Sequence, residues 1–317
     1  TPNRVDATSH YGVARDLAAY LAQRTGERVH THLPQVLSRP EGTCPVPVSV
    51  DVAPELCPRF QGLVIRGLKV TESPEWLRRR LETLGLKPIN NVVDVTNFVL
   101  HEIGQPLHAY DLAKVGTQGL RIRVGQQGEE MTLLDQSKVK LTEQDLLIAS
   151  GDGTPLCIAG VMGGLDSGTT EQTTEIFLEA ANFNASSVRR RIGVSSDSSF
   201  RFERGLDPNA TEWALLRAST LILELCPDSY IDGGMVDYYP EPAQPYAVTL
   251  SLGRMHQLLG LEIPEEDIER ILSQLEIRIT DRQGDQWRLL VPRYRVDVTR
   301  DVDVIEDILR IYGYNRV

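Results

Sequence analysis

Several features that would assign a sequence to a class of protein are scarce or missing here. The 317 residues include only four cysteines, none with the spacing of a CxxC motif or of a metal-binding pair: Cys44, Cys57, Cys157 and Cys226. We therefore expect reduced thiols in a cytoplasmic protein rather than disulfides or zinc ligands. No run of about 18 apolar residues occurs, so the usual signal of a membrane-spanning helix is missing.

Positive charge is also scarce. The chain has 33 Lys and Arg residues against 44 Asp and Glu residues, which gives a formal net charge of -11. This balance argues against a surface built to bind nucleic acid, so any RNA contact must be local. The basic clusters at 78–80 and 189–191 are the candidates, although a solvated helix face is the simpler interpretation of each.

The remaining composition is ordinary. Apolar residues make up 41% and charged residues 24%, as in a globular protein, and 317 residues are enough for two domains. The first residue is Thr1 and no signal-peptide pattern follows, so we expect a segment cut from a longer protein. Two proline-rich stretches without periodicity, 34–47 and 238–245, are predicted to be linkers, and they lead us to divide the chain at 45 and 238.

Helical spacing of apolar residues predicts several helices. The first covers 11–24, and five residues are predicted to form its buried face: Val13, Ala14, Leu17, Ala18 and Leu21. Ser73 and Pro74 predict the start of a second helix, with Leu84 on its buried face. Asp207 and Pro208 predict the start of a third.

Residues 89–183 show a different pattern. Short apolar runs, including Val92 and Val93, alternate with glycine-rich turns, which predicts a sheet of short strands with few helices between them. Residues 248–312 are predicted to form a strand, two helices, a hairpin and a final helix, an order that resembles winged-helix proteins. The predicted fold class is therefore α+β, a mixed-sheet domain followed by a small winged-helix-like α+β domain. Its acidic composition argues against DNA binding.

Three motifs carry a more specific resemblance. They are NVVDVTNFVLHEIGQPLHAYD at 91–111, IAGVMGG at 158–164 and FRFERG at 200–205. In this order they resemble the central domain of the bacterial phenylalanine–tRNA ligase beta subunit. VPRYRVD at 291–297 and DVIEDILRIYGY at 303–314 resemble the small domain that follows it in that family.

The resemblance gives each segment an expected identity. Segment 1–45 would be a remnant of the N-terminal domain with a linker, 46–238 the editing, tRNA-binding domain, and 239–317 the winged-helix-like domain. In this family the central domain hydrolyses tyrosine wrongly attached to tRNA(Phe). A pocket that accepts phenylalanine discriminates poorly against one added hydroxyl, whereas a second site that hydrogen-bonds the hydroxyl selects tyrosine.

The resemblance also implies partners and cofactors. The whole enzyme would contain two alpha and two beta subunits, bind tRNA(Phe), and use ATP and Mg²⁺ to attach phenylalanine in the alpha subunit. This chain alone is therefore not expected to aminoacylate, and neither DNA nor a membrane is an expected partner. A non-catalytic scaffold that binds tRNA or a subunit stays open as the alternative function.

Candidate site residues follow from the same resemblance. Glu179 would accept the phenol hydroxyl of tyrosine, and His108 would face the ester or the terminal adenosine. The aminoacyl group would also be bound by Thr96, Asn97, Pro106, Ala159 and Gly160. Plain structural roles stay open for these residues: an ion-paired glutamate, a loop histidine bonded to backbone, helix or turn caps, and a tight turn. The FRFERG motif is interpreted as structural rather than as a phosphate contact.

Four acidic residues form a candidate metal site. Asp303, Glu306 and Asp307 have the i, i+3, i+4 spacing of one helix face, and Asp297 precedes them. Carboxylate oxygens suit Mg²⁺. The resemblance links these positions with magnesium shared with the alpha subunit, although the family usually has Glu where this chain has Asp307. An acidic first helix turn is the alternative, and we expect no metal without the alpha subunit.

Overall fold

The computed structural model describes residues 3–184, 193 and 196–316, and its contacts divide the chain into two compact units. One unit consists of residues 34–242, and the other combines residues 1–33 with 243–317. The structure thus groups the N-terminal helix with the C-terminal segment, whereas the sequence divides the chain at 45 and 238. The basic cluster at 189–191 lies outside the described residues. Within the described ranges, no helix is both long and apolar enough to cross a bilayer.

The described residues contain nine α-helices and fourteen strands. The helices are α1 (His10–Thr25), α2 (Glu75–Thr83), α3 (Asn91–Ile103), α4 (Leu112–Val115), α5 (Asp197–Arg204), α6 (Thr211–Leu225), α7 (Leu252–Leu259), α8 (Glu265–Gln274) and α9 (Asp301–Tyr312). The strands are β1 (Val48–Val50), β2 (Arg59–Arg66), β3 (Leu107–Asp111), β4 (Leu120–Val124), β5 (Glu130–Thr132), β6 (Lys138–Lys140), β7 (Leu146–Ser150), β8 (Pro155–Ile158), β9 (Met162–Gly163), β10 (Glu175–Asn182), β11 (Tyr230–Tyr238), β12 (Tyr246–Ser251), β13 (Arg278–Gln283) and β14 (Gln286–Val291).

Two sheets organise the unit formed by residues 34–242. The first is antiparallel, with strand order β11-β2-β10-β3, so that β3 is an edge strand. The second has the order β1-β4-β7-β8-β9, in which only the β1–β4 pair is parallel. The strands β5 and β6 form a separate hairpin.

The four-stranded sheet is covered on both faces. On one face, Phe60, Tyr110 and Phe177 join a core with residues of the five-stranded sheet. On the other face, Leu63 and Leu178 join a core with residues of α2, α3 and α6. Because successive side chains of a strand alternate between faces, β2 and β10 are almost continuously buried. This double cover removes water from any polar side chain that the two strands carry.

The region 89–183 contains a long helix, α3, that the sequence pattern does not predict. Val92 and Val93 belong to helix α3 rather than to a strand, so the prediction is wrong at this point. The side chain of Asn90 accepts hydrogen bonds from the backbone N–H groups of both valines, at 3.0 and 2.9 Å, and thereby caps the helix. Val95 and Val99 then continue the buried face at helical spacing.

The buried face of α1 also differs from the prediction. Val13 and Leu17 are about half exposed, at 53% and 52%, whereas Ala18, Ala19 and Ala22 are buried. Small alanine side chains allow α1 to pack against α8 of the same unit. Leu84, predicted to be buried at the end of α2, is likewise exposed.

The unit that includes residues 243–317 follows the predicted element order. Its sheet has the strand order β12-β14-β13, and the helices α7, α8 and α9 share one core with the sheet, centred on the buried Trp287. Gly260 and Gly313 end α7 and α9 with positive φ angles, as the pattern predicts. The predicted α+β fold class is confirmed.

Candidate functional site

Glu179 and His108 meet on one face of the four-stranded sheet. Antiparallel pairing places Glu179 of β10 directly opposite His108 of β3 and directly opposite Gly62 of β2. Residues opposite each other in an antiparallel pair point to the same face, with their Cβ atoms about 4.5–5.5 Å apart. This face also carries Tyr110 and Phe177, so it is the face that packs against the five-stranded sheet.

The carboxyl group of Glu179 is buried without a basic partner. Glu179 is only 5% exposed, and its Oε2 accepts a hydrogen bond from the Tyr110 hydroxyl at 2.8 Å. In the described part of the chain, no Arg, Lys or His side chain forms an ion pair with it. Burial raises the pKa of Glu179 to about 8, although the hydrogen bond from Tyr110 lowers it.

This pKa shift makes a contribution to stability with a defined sign. The folded-state pKa of Glu179 lies above the ordinary value of 4.5. The contribution of the protonated carboxyl is therefore complete below about pH 4.5 and is lost as the pH rises through about 8. At neutral pH the protonated form of the buried carboxyl therefore predominates.

His108 is held as a neutral imidazole. Burial lowers its pKa to about 4, so the ring carries no charge at pH 7. The ring lies 4.4 Å from that of Tyr110 in an edge-to-face arrangement. Its Nε2 is shielded from solvent and has no hydrogen-bond partner among the described residues. A buried ring nitrogen without a partner is unsatisfied, and a ligand or a water molecule could supply the missing hydrogen bond.

The IAGVMGG motif forms the opposite wall of this region. Ala159 and Gly160 occupy a tight turn between β8 and β9, closed by a hydrogen bond from Val161 N–H to Ile158 O at 2.9 Å. Gly160 has a φ angle of 68°, which favours glycine. Gly163 follows in β9, and a Cβ atom there would lie 2.8 Å from Cε1 of His108. The motif therefore brings backbone directly against the imidazole.

The residues before β3 are fixed by one buried amide. Pro106 is buried, as is Gln105, whose Nε2 donates to Ala181 O at 2.8 Å and to Pro106 O at 3.0 Å. Ala181 belongs to β10, so Gln105 ties the start of β3 to the strand that carries Glu179. Its Oε1 is buried and without a hydrogen-bond partner in the described ranges.

Thr96 and Asn97 are placed differently from the other candidates. They lie in α3, whose apolar side chains pack on the face of the sheet opposite to Glu179. The hydroxyl of Thr96 donates to Val93 O at 2.7 Å and so remains within its own helix. Their helix therefore lies on the other face of the sheet from Glu179.

The FRFERG motif has the features of a structural element. It lies in α5, which Ser196 caps by accepting a hydrogen bond from Ser199 N–H. Arg201 is buried and forms an ion pair with Asp197, while Phe202 packs against Phe183 with ring centroids 5.7 Å apart. These contacts support the structural interpretation of the motif.

The four acidic candidates for a metal site do not converge. Glu306 is exposed and Asp307 is buried, although both lie in α9. Asp303 accepts a hydrogen bond from Arg300 N–H at 2.9 Å at the start of this helix and forms an ion pair with the Arg300 side chain. In the part of the chain that the structure describes, no group of three or more His, Cys, Asp or Glu side chains could hold a metal ion. The four carboxylates therefore do not form a complete metal site within this part of the chain.

Arginine side chains form ion pairs with the buried carboxylates of this acidic set. Arg295 is 2% exposed and pairs with Asp297 at 2.9 Å and with Asp307 at 2.6 Å. Arg310 also pairs with Asp307, at 2.9 Å. Burial lowers the pKa of Arg295, but the hydrogen bond to Asp297 and the charge of Asp307 outweigh it and raise the pKa above its ordinary value. The positive charges of the arginines and the negative charges of the aspartates in this network therefore offset each other.

Comparison with known proteins identifies the unit that carries Glu179. The family model described as B3/4 domain matches residues 56–227, which is more than half of the chain. The chain belongs to the B3/4 domain family. A second model, described as tRNA synthetase B5 domain, matches residues 248–314.

Relatives of known name match the chain from end to end. The phenylalanine–tRNA ligase beta subunit of Porphyromonas gingivalis is 54% identical over 321 residues, covering 100% of this chain and 39% of that protein. The beta subunit of Bacteroides fragilis is 47% identical with the same coverage. The resemblance predicted from the motifs is confirmed, and the chain spans about two fifths of the length of these relatives.

One solved structure shares the fold. It is an N-terminal fragment of the phenylalanyl-tRNA synthetase beta subunit from Pyrococcus horikoshii, with a TM-score of 0.50 and 16% identity. The match covers 99% of this chain and 85% of that fragment. At this identity the match shows a common fold only.

Two residues that the structure places beside Glu179 and His108 are not predicted from the sequence. Tyr110 and Gln105 lie within the same 91–111 motif, in which the sequence predicts roles only for Thr96, Asn97, Pro106 and His108. The signal for Tyr110 was present, because residues two apart on a strand share a face and a buried phenol needs a hydrogen-bond partner. Gln105 gives no comparable signal, since its partner Ala181 is distant in sequence.

Proposed function

We propose that the B3/4 domain of this chain hydrolyses the ester of tyrosine wrongly attached to tRNA(Phe), as part of a phenylalanine–tRNA ligase beta subunit. The observation that carries the proposal is that Glu179 already accepts a hydrogen bond from a phenol, that of Tyr110, at 2.8 Å in a buried setting. The same face presents a neutral histidine with a shielded, unpartnered Nε2. Candidate groups for recognising the tyrosine side chain and for hydrolysing its ester therefore lie next to each other.

Recognition of tyrosine over phenylalanine follows from the chemistry of Glu179. A carboxyl group accepts a phenol hydroxyl but has no favourable contact with the bare ring edge of phenylalanine. Leaving a buried polar group without its partner costs about 1–3 kcal/mol, or roughly 5- to 150-fold in selectivity. The surrounding apolar core supplies the burial that makes this penalty effective.

His108 is better suited to orient water than to remove its proton. A general base works best when its pKa lies near the operating pH, and burial lowers the pKa of His108 to about 4. A neutral ring nitrogen still binds a water molecule or the ester region through a hydrogen bond. The proposed role of His108 is therefore to position the attacking water, with Gly163 holding the ring from the other side.

The whole enzyme provides the remaining steps of this proposal. The alpha subunit would attach phenylalanine to tRNA(Phe) with ATP and Mg²⁺ in the cytoplasm, and the B3/4 domain would clear tyrosine from the product. The B5 domain would contribute to the scaffold. Since the acidic residues of this chain do not form a complete metal site by themselves, no step of the proposal uses a metal bound here.

Deacylation of Tyr-tRNA(Phe) tests the proposal. The complete ligase with His108→Ala in the beta subunit is expected to release tyrosine at least about tenfold more slowly, because one positioning hydrogen bond contributes on the order of 1.4 kcal/mol. Aminoacylation with phenylalanine should remain unchanged. The matched control is His101→Ala, a histidine of the preceding helix α3.

The alternative function, a scaffold without catalysis, predicts that Tyr-tRNA(Phe) is not hydrolysed. If the complete wild-type ligase leaves Tyr-tRNA(Phe) intact while it aminoacylates normally, the hydrolytic function is wrong. Equal deacylation by the wild type and His108→Ala would remove His108 from the site but leave the hydrolytic function in place.

A further inference from the structure

The hydrogen bond between Tyr110 and Glu179 assigns a role to a residue outside the proposed ligand contacts. Tyr110 stands two residues after His108 on β3, and its side chain is fully buried on the same face. Its hydroxyl donates to Oε2 of Glu179 at 2.8 Å. One oxygen of the buried carboxyl is therefore occupied by a group of the protein itself.

We infer that Tyr110 is a positioning residue that holds Oε2 of Glu179 and leaves Oε1 to accept the phenol hydroxyl of the bound tyrosine. The inference rests on the proposed function, since it describes how the same site recognises its ligand. A carboxyl group offers two oxygens, so the internal phenol and the ligand phenol are accommodated together rather than in competition.

The position of the Tyr110 hydroxyl is fixed from several sides. The ring lies edge-to-face with His108 at 4.4 Å, and Tyr110 is paired with Phe177 across β3 and β10. The Cys157 thiol of β8 also lies near the hydroxyl, and it donates to the backbone carbonyls of Ile158 and Met162. A donor that cannot move selects one orientation of Glu179 before the ligand arrives, which reduces the entropy lost on binding.

Tyr110 stabilises the ionised form of the Glu179 carboxyl, and the other ionisable groups that face this carboxyl do not. His108 and Tyr110 face it from β3, Cys157 from β8, and Cys57 from the segment before β2. Burial keeps His108 neutral by lowering its pKa and keeps both thiols neutral by raising theirs, so none of these groups brings a charge that would stabilise the carboxylate. The hydrogen bond from Tyr110 favours the ionised carboxylate and opposes the effect of burial.

Tyr110→Phe separates this role from a purely structural one. The probes are L-tyrosinamide and L-phenylalaninamide, and calorimetry gives the ratio of their affinities for this chain between pH 6 and 9. In the wild type, the preference for the tyrosine probe is expected to rise as the pH passes through about 8. In the variant, the preference should fall about 3- to 10-fold and its midpoint should move to higher pH.

The ratio of affinities also serves as an internal control. Titration of the amino group is common to both probes and cancels, and the affinity of L-phenylalaninamide should stay the same. Tyr294→Phe is the matched control, because Tyr294 also donates to a glutamate, Glu276, at 2.9 Å, but lies in the other unit. It should change neither the preference nor its pH midpoint.

The outcomes distinguish the inference from the function it rests on. A wild type that binds both probes equally would overturn the proposed recognition by Glu179, and the inference with it. If the wild type shows a preference that Glu179→Gln removes, but Tyr110→Phe changes neither the size of this preference nor its pH midpoint, the inference alone would be overturned.

If the Tyr110→Phe chain does not fold, 3-fluorotyrosine at position 110 replaces it. As a more acidic donor, it should move the midpoint to lower pH, and an unchanged midpoint would refute the inference.

Discussion

Glu179→Gln is expected to slow the hydrolysis of Tyr-tRNA(Phe) by the complete ligase about 10- to 100-fold. A hydrogen bond to the ionised carboxylate, the form that predominates above about pH 8, contributes about 1.5–3 kcal/mol, and the neutral amide cannot provide it, so the effect should be largest at pH 8 and above. The carboxyl of Glu179 is buried and has no basic partner in the described ranges, so bulk water does not replace the lost interaction. The measurement is the single-turnover rate of tyrosine release, with aminoacylation by phenylalanine followed in parallel.

Glu175→Gln is the control for this prediction. Glu175 lies in the same strand, but its side chain is 39% exposed and pairs with Arg66. Its replacement should leave the rate unchanged, because water screens the interaction of an exposed pair. A Glu179→Gln enzyme that releases tyrosine as fast as the wild type would show that Glu179 does not recognise the phenol.

Arg295→Ala is expected to lower the free energy of unfolding of the unit formed by 1–33 and 243–317 by about 3 kcal/mol. Removing one partner of a buried ion pair leaves an uncompensated charge, which typically costs about 3–5 kcal/mol. Arg295 serves two buried carboxylates, those of Asp297 and Asp307. The lower end of the range applies because Arg310 still pairs with Asp307.

Fluorescence of Trp287 during urea unfolding measures this loss. Trp287 is buried in the core of that unit, and the other two tryptophans, Trp76 and Trp213, can be replaced by phenylalanine in the reference chain. Arg288→Ala is the matched control, since Arg288 is largely exposed and lies 3.9 Å from Asp281. Equal stability of the Arg295 and Arg288 variants would contradict the role given to the buried network.

The sequence predicts the C-terminal elements well for local reasons. Pro264 begins a helix, Gly260 and Gly313 end helices, and the hairpin strands alternate buried and exposed residues. These signals act over a few residues and do not depend on distant contacts. The structure follows them because tertiary packing agrees with the local preference.

Other features depend on contacts that periodicity does not reveal. The larger side chains of α1, Val13 and Leu17, are exposed because packing against α8 uses the alanine face. Val92 and Val93 favour strands by their branching, but the Asn90 cap turns them into a helix. The acidic residues of α9 have the spacing of metal ligands, but the structure places a buried arginine beside one of them.

The candidate site was only partly accessible from the sequence. The motifs identify Glu179 and His108, which are 71 residues apart, but only strand register places them opposite each other. Thr96 and Asn97 stand close to His108 in the sequence, yet α3 carries them to the other face of the sheet. Register and sheet order are long-range properties, so composition and spacing do not determine them.

A crystal structure of this chain with bound L-tyrosine would show whether Glu179 recognises the phenol. We expect the phenolic oxygen within about 2.5–3.0 Å of Glu179 Oε1, with Tyr110 still bonded to Oε2 and the carboxyl end of the ligand near His108. L-phenylalanine should occupy the same place much less than L-tyrosine at equal concentration. Tyrosine bound at another place, with nothing beside Glu179, would rule out recognition of the phenol by Glu179.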